Sequence, residues 1–149
     1  ALTIGTLDGA NVEIREEVGA DNIFIFGHTR EEIEALRAAG YSPDRFLQES
    51  AELRRAIEVL SNGSLDGGSS LFRPIVDSLV GEDRYFLCAD FAAYAACQQR
   101  AAAAYLRADE WWRMSILNVA GMGKFSSDRT TRQYADEIWG ASSVPATAT

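Results

Sequence analysis

The sequence is short of the residues on which most enzyme chemistry is built. Its 149 residues hold one histidine, two cysteines and three prolines, and Lys124 is the only lysine. Cys88 and Cys97 make neither a disulfide framework nor a metal motif. His28 has no Ser or Cys nucleophile at a suggestive spacing, so no hydrolytic triad can be read around it. Fourteen basic residues against 22 acidic ones leave a net charge of -8, too few cations to neutralise a nucleic-acid backbone. Long apolar runs are missing too: none approaches a membrane span, and the opening residues do not read as a leader. What is present is ordinary globular material, 47% apolar and 24% charged, enough for one domain with a real core. A reduced, cytoplasmic setting is the simplest fit to two unpatterned thiols.

The fold class expected is α/β. "LTIGTL" alternates before the turn-forming "DG", and "ANVEIREEVG" reads as a short helix stopped by Gly19. "NIFIFG" is an unbroken apolar run rich in aromatic and β-branched residues, the pattern of a strand covered on both faces. Strand, helix, strand within 27 residues predicts a βαβ unit. The rest is mostly helical. Thr29 and Glu32 form a capping box, Gly40 closes that helix, and Ser42-Pro43 starts the next. Leu53, Ala56, Ile57 and Leu60 share a helical face, as do Phe72, Ile75, Val76 and Leu79. Residues 61–70, "SNGSLDGGSS", read as loop. "RYFLCAD" is expected to be a third short strand ending at Asp90 as a helix cap. The helix after it places Phe91, Tyr94, Gln98, Ala101 and Tyr105 on one side. Asp109 caps a helix with Trp112, Ile116 and Val119 inward. Ser127 or Asp128 caps the last, with Thr131, Tyr134, Ala135 and Ile138 inward. Residues 141–149 read as a flexible tail. Two or three parallel strands do not make a stable sheet alone, so the chain reads as part of a larger α/β domain.

Three stretches invite a functional reading. "GTLDGANVE" could be a plain turn with Asp8 or Gly9 as helix cap, or a ligand-facing strand end of the kind found in open α/β sheets. "GMGKFSSDR" fails as a phosphate loop because Phe125 follows Lys124 where Ser or Thr belongs. Lys124, Ser126 and Ser127 could hold an anion, though a helix cap beside a surface lysine explains them as well. Trp111, Trp112 and Trp139 are candidates for a sugar-stacking platform or for core aromatics. Glu13, Glu16 and Glu17 spread around a helix and are expected to face solvent.

Taken together and in order, "LTIGTLDGANVEI", "NIFIFG", "LRAAGY", "SNG", "FAAYAACQ" and "KFSSDRTTRQYADEIWG" resemble the closing segment of the α-glucan phosphorylases, which include glycogen, starch and maltodextrin phosphorylases. The resemblance runs from Ala1 to about Gly140. It implies a GT-B architecture of two Rossmann-like domains, with residues 1–140 in the C-terminal portion of the cofactor-bearing domain. It implies release of glucose 1-phosphate from an α-1,4-glucan by inorganic phosphate, and pyridoxal phosphate carried on a lysine. In the family that lysine ends a Gly-Thr-Gly-Asn-Met-Lys stretch lying upstream of the position of Ala1. The resemblance therefore gives this segment no catalytic residue, no cofactor anchor and no metal ligand. It leaves Thr6, Asp8, Gly9 and Asn11 as active-site-adjacent candidates supporting the cofactor region, and gives His28 no role. The chain alone is expected to be inactive, with the remainder of a phosphorylase chain as its partner and self-association through exposed apolar surface otherwise. Two other classes stay open: a non-catalytic helical interaction module, and a nucleotide-sugar transferase of similar architecture.

Overall fold

The structure, a computed structural model, describes residues 2–142. Strands β1 (Ile4–Thr6) and β2 (Phe24–Phe26) lie side by side in parallel, with Ile4 opposite Phe24 and Thr6 opposite Phe26. Helix α1 (Ala10–Val18) joins them, ending at Gly19 and a single 3-10 turn, Ala20–Asn22. This is the predicted βαβ unit, and it is the whole sheet among the described residues. Among the described residues seven α-helices follow, α2 (Arg30–Ala38), α3 (Pro43–Glu49), α4 (Ala51–Ser61), α5 (Arg73–Gly81), α6 (Leu87–Tyr105), α7 (Ala108–Gly121) and α8 (Ser127–Tyr134), with a 3-10 turn at Met122–Phe125 and a π-helical stretch at Ala135–Trp139.

Local chemistry sets most helix starts. At α2 the Thr29 hydroxyl accepts from the Glu32 N–H, and the Glu32 carboxylate accepts from the Thr29 N–H at 2.7 Å. The Thr29 N–H, and the Thr29 side chain after it, hold the Glu32 carboxyl below its ordinary range, because hydrogen bonds donated to a carboxylate favour the ionised form. Ser42 caps α3 with Pro43 at its first position, where the missing N–H costs nothing. Ser50 caps α4, which buries Leu53 and half-buries Ala56, Ile57 and Leu60 as predicted. Ser61 ends α4, and residues 62–70 form the expected loop, with turns at 64–68.

The core lies where the sheet meets α6 and α7. Phe24, Cys97, Ala101, Ala104 and Met114 are buried there, with Leu2, Ile4, Phe26 and Trp111 packed against them. The alanines let α6 approach the strands closely. Arg100 on α6 donates to the carbonyl of Ile25 at 2.9 Å, so part of the outer edge of β2 is satisfied without a third strand. On α7, the Asn118 amide donates to the carbonyls of Asn22 at 2.7 Å and Met114 at 3.0 Å.

Several expectations need correction. Residues 84–90 form no strand. They turn through Phe86 at φ 59° into α6, which begins at Leu87. The cause is Asp83, whose buried carboxylate accepts the N–H groups of Leu87 and Cys88 at 2.9 and 2.8 Å and satisfies two of the free donors at the helix start. Asp90 therefore lies inside α6 and is not its cap. The buried side of α6 runs through Asp90, Cys97, Ala101 and Ala104. Tyr94 and Tyr105 stay more than a third exposed and lean their rings on Phe26 and Trp111. On α7 the face is rotated: Trp112, Ile116 and Val119 are 64%, 65% and 75% exposed, and Met114 and Asn118 are buried in their place. An apolar period fixes a helix but does not choose among several apolar stripes; here the Asn118 bond to Asn22 selects the stripe. On α8 Thr131 and Tyr134 are exposed, and in the π-helical stretch that follows (Ala135–Trp139) Ile138 is exposed and Ala135 half-buried. Ile75 on α5 is likewise half-exposed. Arg107 stands at the start of α7 and Ser126 caps α8, one or two residues before the expected caps. The tail assigned to residues 141–149 falls outside the described residues from 143 onward.

Candidate functional site

At the carboxyl end of β1 the chain must reverse into α1 within three residues. Thr6 donates its hydroxyl to Asp8 at 2.9 Å, and the Asn11 amide donates to the Thr6 carbonyl at 2.9 Å. The Asn11 N–H also closes the turn on the Asp8 carbonyl at 3.1 Å. Gly9 precedes the helix with no side-chain cap, so the turn is held from Thr6, Asp8 and Asn11. The Asn11 side chain lies so close over β1 that a Cβ on Gly5 would stand 2.4 Å from its amide nitrogen. Gly5 and Asn11 thus form one interlocked pair.

The end of β2 is locked by a different device. Gly27 turns at φ 83°, and the Asp90 carboxylate fills the space a side chain there would need, 2.6 Å from where a Cβ would stand. The same carboxylate accepts the His28 N–H at 2.8 Å and contacts the His28 Nδ1 at 2.6 Å. Strand end and helix α6 are therefore joined by a charged acceptor with little exposure, a stronger tie than a neutral hydrogen bond.

Between these two strand ends lies a cleft of about 330 Å³, lined among others by Thr6, Asp8, His28, Arg37, Arg84 and Tyr85. Arg37 sits over the ring of Phe86 and Arg84 over that of Tyr85, at 5.2 and 5.8 Å, contacts that orient a guanidinium while leaving its donors available. Behind the cleft Asp83 accepts from the Tyr41 hydroxyl at 2.5 Å as well as from α6. Burial and the Asp83 charge push the Tyr41 hydroxyl far above its ordinary range, and they push the Cys88 thiol up to about 12. Both groups therefore stay protonated.

Of the four candidates, Thr6 and Asp8 line the cleft and Gly9 and Asn11 form the turn behind it. Polar groups of the cleft are already tied within the chain. Thr6 is bonded to Asp8, and His28 is engaged by Asp90. The cleft sets a few polar groups in a largely apolar lining, at the place where open α/β sheets collect ligands. Asp83, Asp90, Arg37 and Arg84 were not singled out from the sequence as site residues. Only Asp83, four residues before a helix, offered a signal there, and the apolar "YFLC" masked it by imitating a strand.

The second stretch resolves as a cap. Lys124 donates to Glu17 at 2.8 Å and Ser126 caps α8. Glu13 and Glu16 are exposed as expected. Trp111 packs into the core while Trp112 faces away from it, so the three tryptophans form no common platform. No cluster of three metal-ligating side chains occurs among the described residues, and no helix there is long and apolar enough to cross a membrane.

A family profile described as carbohydrate phosphorylase matches residues 1–141. The chain belongs to the carbohydrate phosphorylase family. It is 54% identical over 140 residues to glycogen phosphorylase of Synechocystis sp., covering 93% of this chain and 16% of that protein. It is 49% identical over 141 residues to the muscle form of glycogen phosphorylase from Oryctolagus cuniculus, covering 94% of this chain and 17% of the relative. Against the brain form from Bos taurus the identity is 46% over 142 residues, with 95% and 17% covered. The chain thus spans about a sixth of the length of these relatives.

Proposed function

We propose that this chain works as the C-terminal portion, residues 1–140, of the cofactor-bearing domain of a GT-B phosphorylase. The intact protein releases glucose 1-phosphate from α-1,4-glucans by phosphorolysis, in the cytoplasm. The observation that carries this reading is the identity of about half the residues to glycogen phosphorylases along nearly the whole chain. The locked strand ends supply a physical role. Thr6, Asp8, Gly9 and Asn11 fix the end of β1 and so support whatever is bound beside it, without themselves exchanging protons or forming bonds with substrate.

Pyridoxal phosphate, which the family resemblance implies, needs a lysine amine. Lys124 is the one lysine of the sequence. It pairs with Glu17 and is not among the residues lining the cleft. The residues of this chain therefore do not fit the cofactor's anchor, and we assign the anchor to a segment outside it. The chain alone is expected to bind no pyridoxal phosphate and to release no glucose 1-phosphate.

The test is a chimera. Residues 1–140 replace the matching segment of the Synechocystis glycogen phosphorylase, and glucose 1-phosphate is measured from maltodextrin and phosphate. Activity within an order of magnitude of the parent is expected. A folded chimera without activity, beside an active parent, would sink the assignment. A Schiff-base absorbance band in the isolated chain would overturn the statement about its cofactor.

A further inference from the structure

The cleft between the strand ends is lined in part by a turn held in a costly backbone. Asp83 and Phe86 both take left-handed angles, φ 37° and 59°, where a residue with a side chain is disfavoured. The turn is kept there by its own contacts. The Asp83 carboxylate anchors it to α6 and to Tyr41, and the buried Phe86 ring packs 4.3 Å from that of Tyr41. Such strain persists only where the surroundings over-determine it, and it gathers at ligand sites. Its product here is the placement of Arg84 and Tyr85 at the cleft, with Tyr85 74% exposed. Arg37 reaches the same cleft from α2, resting on the Phe86 ring at 5.2 Å.

We infer that the cleft binds a small organic monocarboxylate with an apolar or aromatic body, its carboxylate held by Arg37 and Arg84. The inference goes beyond the functional reading above and uses residues of this chain alone. In a chain with 22 acidic residues, these two guanidiniums form no ion pair among the described residues. Each is steadied on an aromatic ring instead. The planar fork of a guanidinium matches the two oxygens of a carboxylate. The other charges of the cleft are committed: Arg30 pairs with Glu34 at 3.0 Å, Asp8 accepts from Thr6, and Asp90 accepts from His28. Two free cations beside the Asp8 and Asp90 carboxylates suit a single negative charge, whereas a phosphate dianion would meet repulsion from both. Leu7, Ile33 and the exposed ring of Tyr85 offer contact to an apolar body, and a volume of about 330 Å³ suits a small ligand.

The test titrates the isotope-labelled chain with benzoate at pH 7 and follows its amide and arginine signals by NMR. Saturable shifts are expected at Tyr85, Phe86 and the Arg37 and Arg84 side chains. The neutral isostere benzamide should bind about tenfold more weakly. Arg37→Gln and Arg84→Gln should each raise the benzoate Kd about tenfold. Arg84→Lys keeps the charge but loses the fork, so a loss close to that of Arg84→Gln is expected. Arg55→Gln makes the same change of charge at an exposed position outside the cleft lining and should leave the Kd unchanged. Benzamide matching benzoate would overturn the site, and that comparison needs no substitution, so it decides the question even where a variant fails to fold. Shifts that stay linear in benzoate, a Kd indifferent to both arginine variants, or an equal loss in Arg55→Gln would overturn it too. Tighter binding of phenyl phosphate than of benzoate would overturn the assignment to a monocarboxylate.

Discussion

The carboxyl end of the strands and the outer face of α7 are both surface, yet they are built on opposite plans. At the strand ends the polar groups that shape the two turns have partners within the chain. Asn11 bonds the Thr6 carbonyl, Asp90 holds His28, and Asp83 holds Tyr41 and the start of α6. Along α7 three large apolar side chains have solvent in place of a partner. The first region is specified by contacts this chain makes with itself, so substitutions there should register in the isolated chain. The second carries apolar area that no contact within the described residues covers, so substitutions there should be near neutral in the isolated chain.

The largest effect is expected at Asp83. Its side chain is among the most completely buried in the molecule, and Asp83→Ala would leave the Tyr41 hydroxyl and two helix N–H groups without partners. A loss of about 3 kcal/mol is expected in urea unfolding, with Asp83→Asn losing less because its carbonyl oxygen still accepts. A loss below about 1 kcal/mol would show that water replaces the carboxylate and that the region is open to solvent. Next comes Gly5→Ala, expected to cost roughly 1–3 kcal/mol because the new methyl meets Asn11. Asn11→Ala in the same chain should recover part of that loss, giving a double-mutant coupling; strictly additive costs would mean that the two residues do not interlock.

A smaller effect follows from pH. The Cys88 thiol is raised from 9.0 to about 12 by burial first and by the Asp83 charge second. Below the unfolded value both states hold the proton and stability is constant. As pH rises from about 9 toward 12 the unfolded chain loses its proton and the folded one keeps it, so stability falls across that window. Tyr41 acts in the same sense at the upper end. Melting temperatures at pH 8 and pH 10 (roughly one unit either side of the free thiol) should therefore drop further for the wild type than for Cys88→Ala. Equal drops would remove Cys88 from the alkaline transition.

How much of this was legible in the sequence depended on whether the signal was local. The βαβ unit, the Thr29–Glu32 box and the Ser42-Pro43 start are set by residues within a few positions of one another, and all were readable. The start of α6 was not. Residues 84–90 have strand-like side chains, and only the distant Tyr41 and the carboxylate of Asp83 show why they turn into a helix. The tie between His28 and Asp90 spans 62 positions and leaves no trace in spacing. Of the candidate site, the turn through Thr6, Asp8 and Asn11 could be read, while the Arg37 and Arg84 side of the cleft could not. The inward face of α7 departs from its apolar period for a related reason: two apolar stripes compete there, and a buried asparagine decides between them.

The exposed stripe of α7 carries the smallest expected effect, and it is the sharpest probe of the comparison. Val119 is 75% exposed, so Val119→Asn removes no packing from the isolated chain, and helix propensity changes little between the two residues. Stability should stay within about 0.5 kcal/mol of wild type, measured by urea unfolding at pH 7. The matching change on the buried side, Met114→Asn, places an amide among Phe24, Cys97 and Ala101 and should cost several times more. If Val119→Asn were instead to approach Met114→Asn in cost, α7 would have no free face, and the contrast between a self-contained strand end and an unpartnered helix surface would fail.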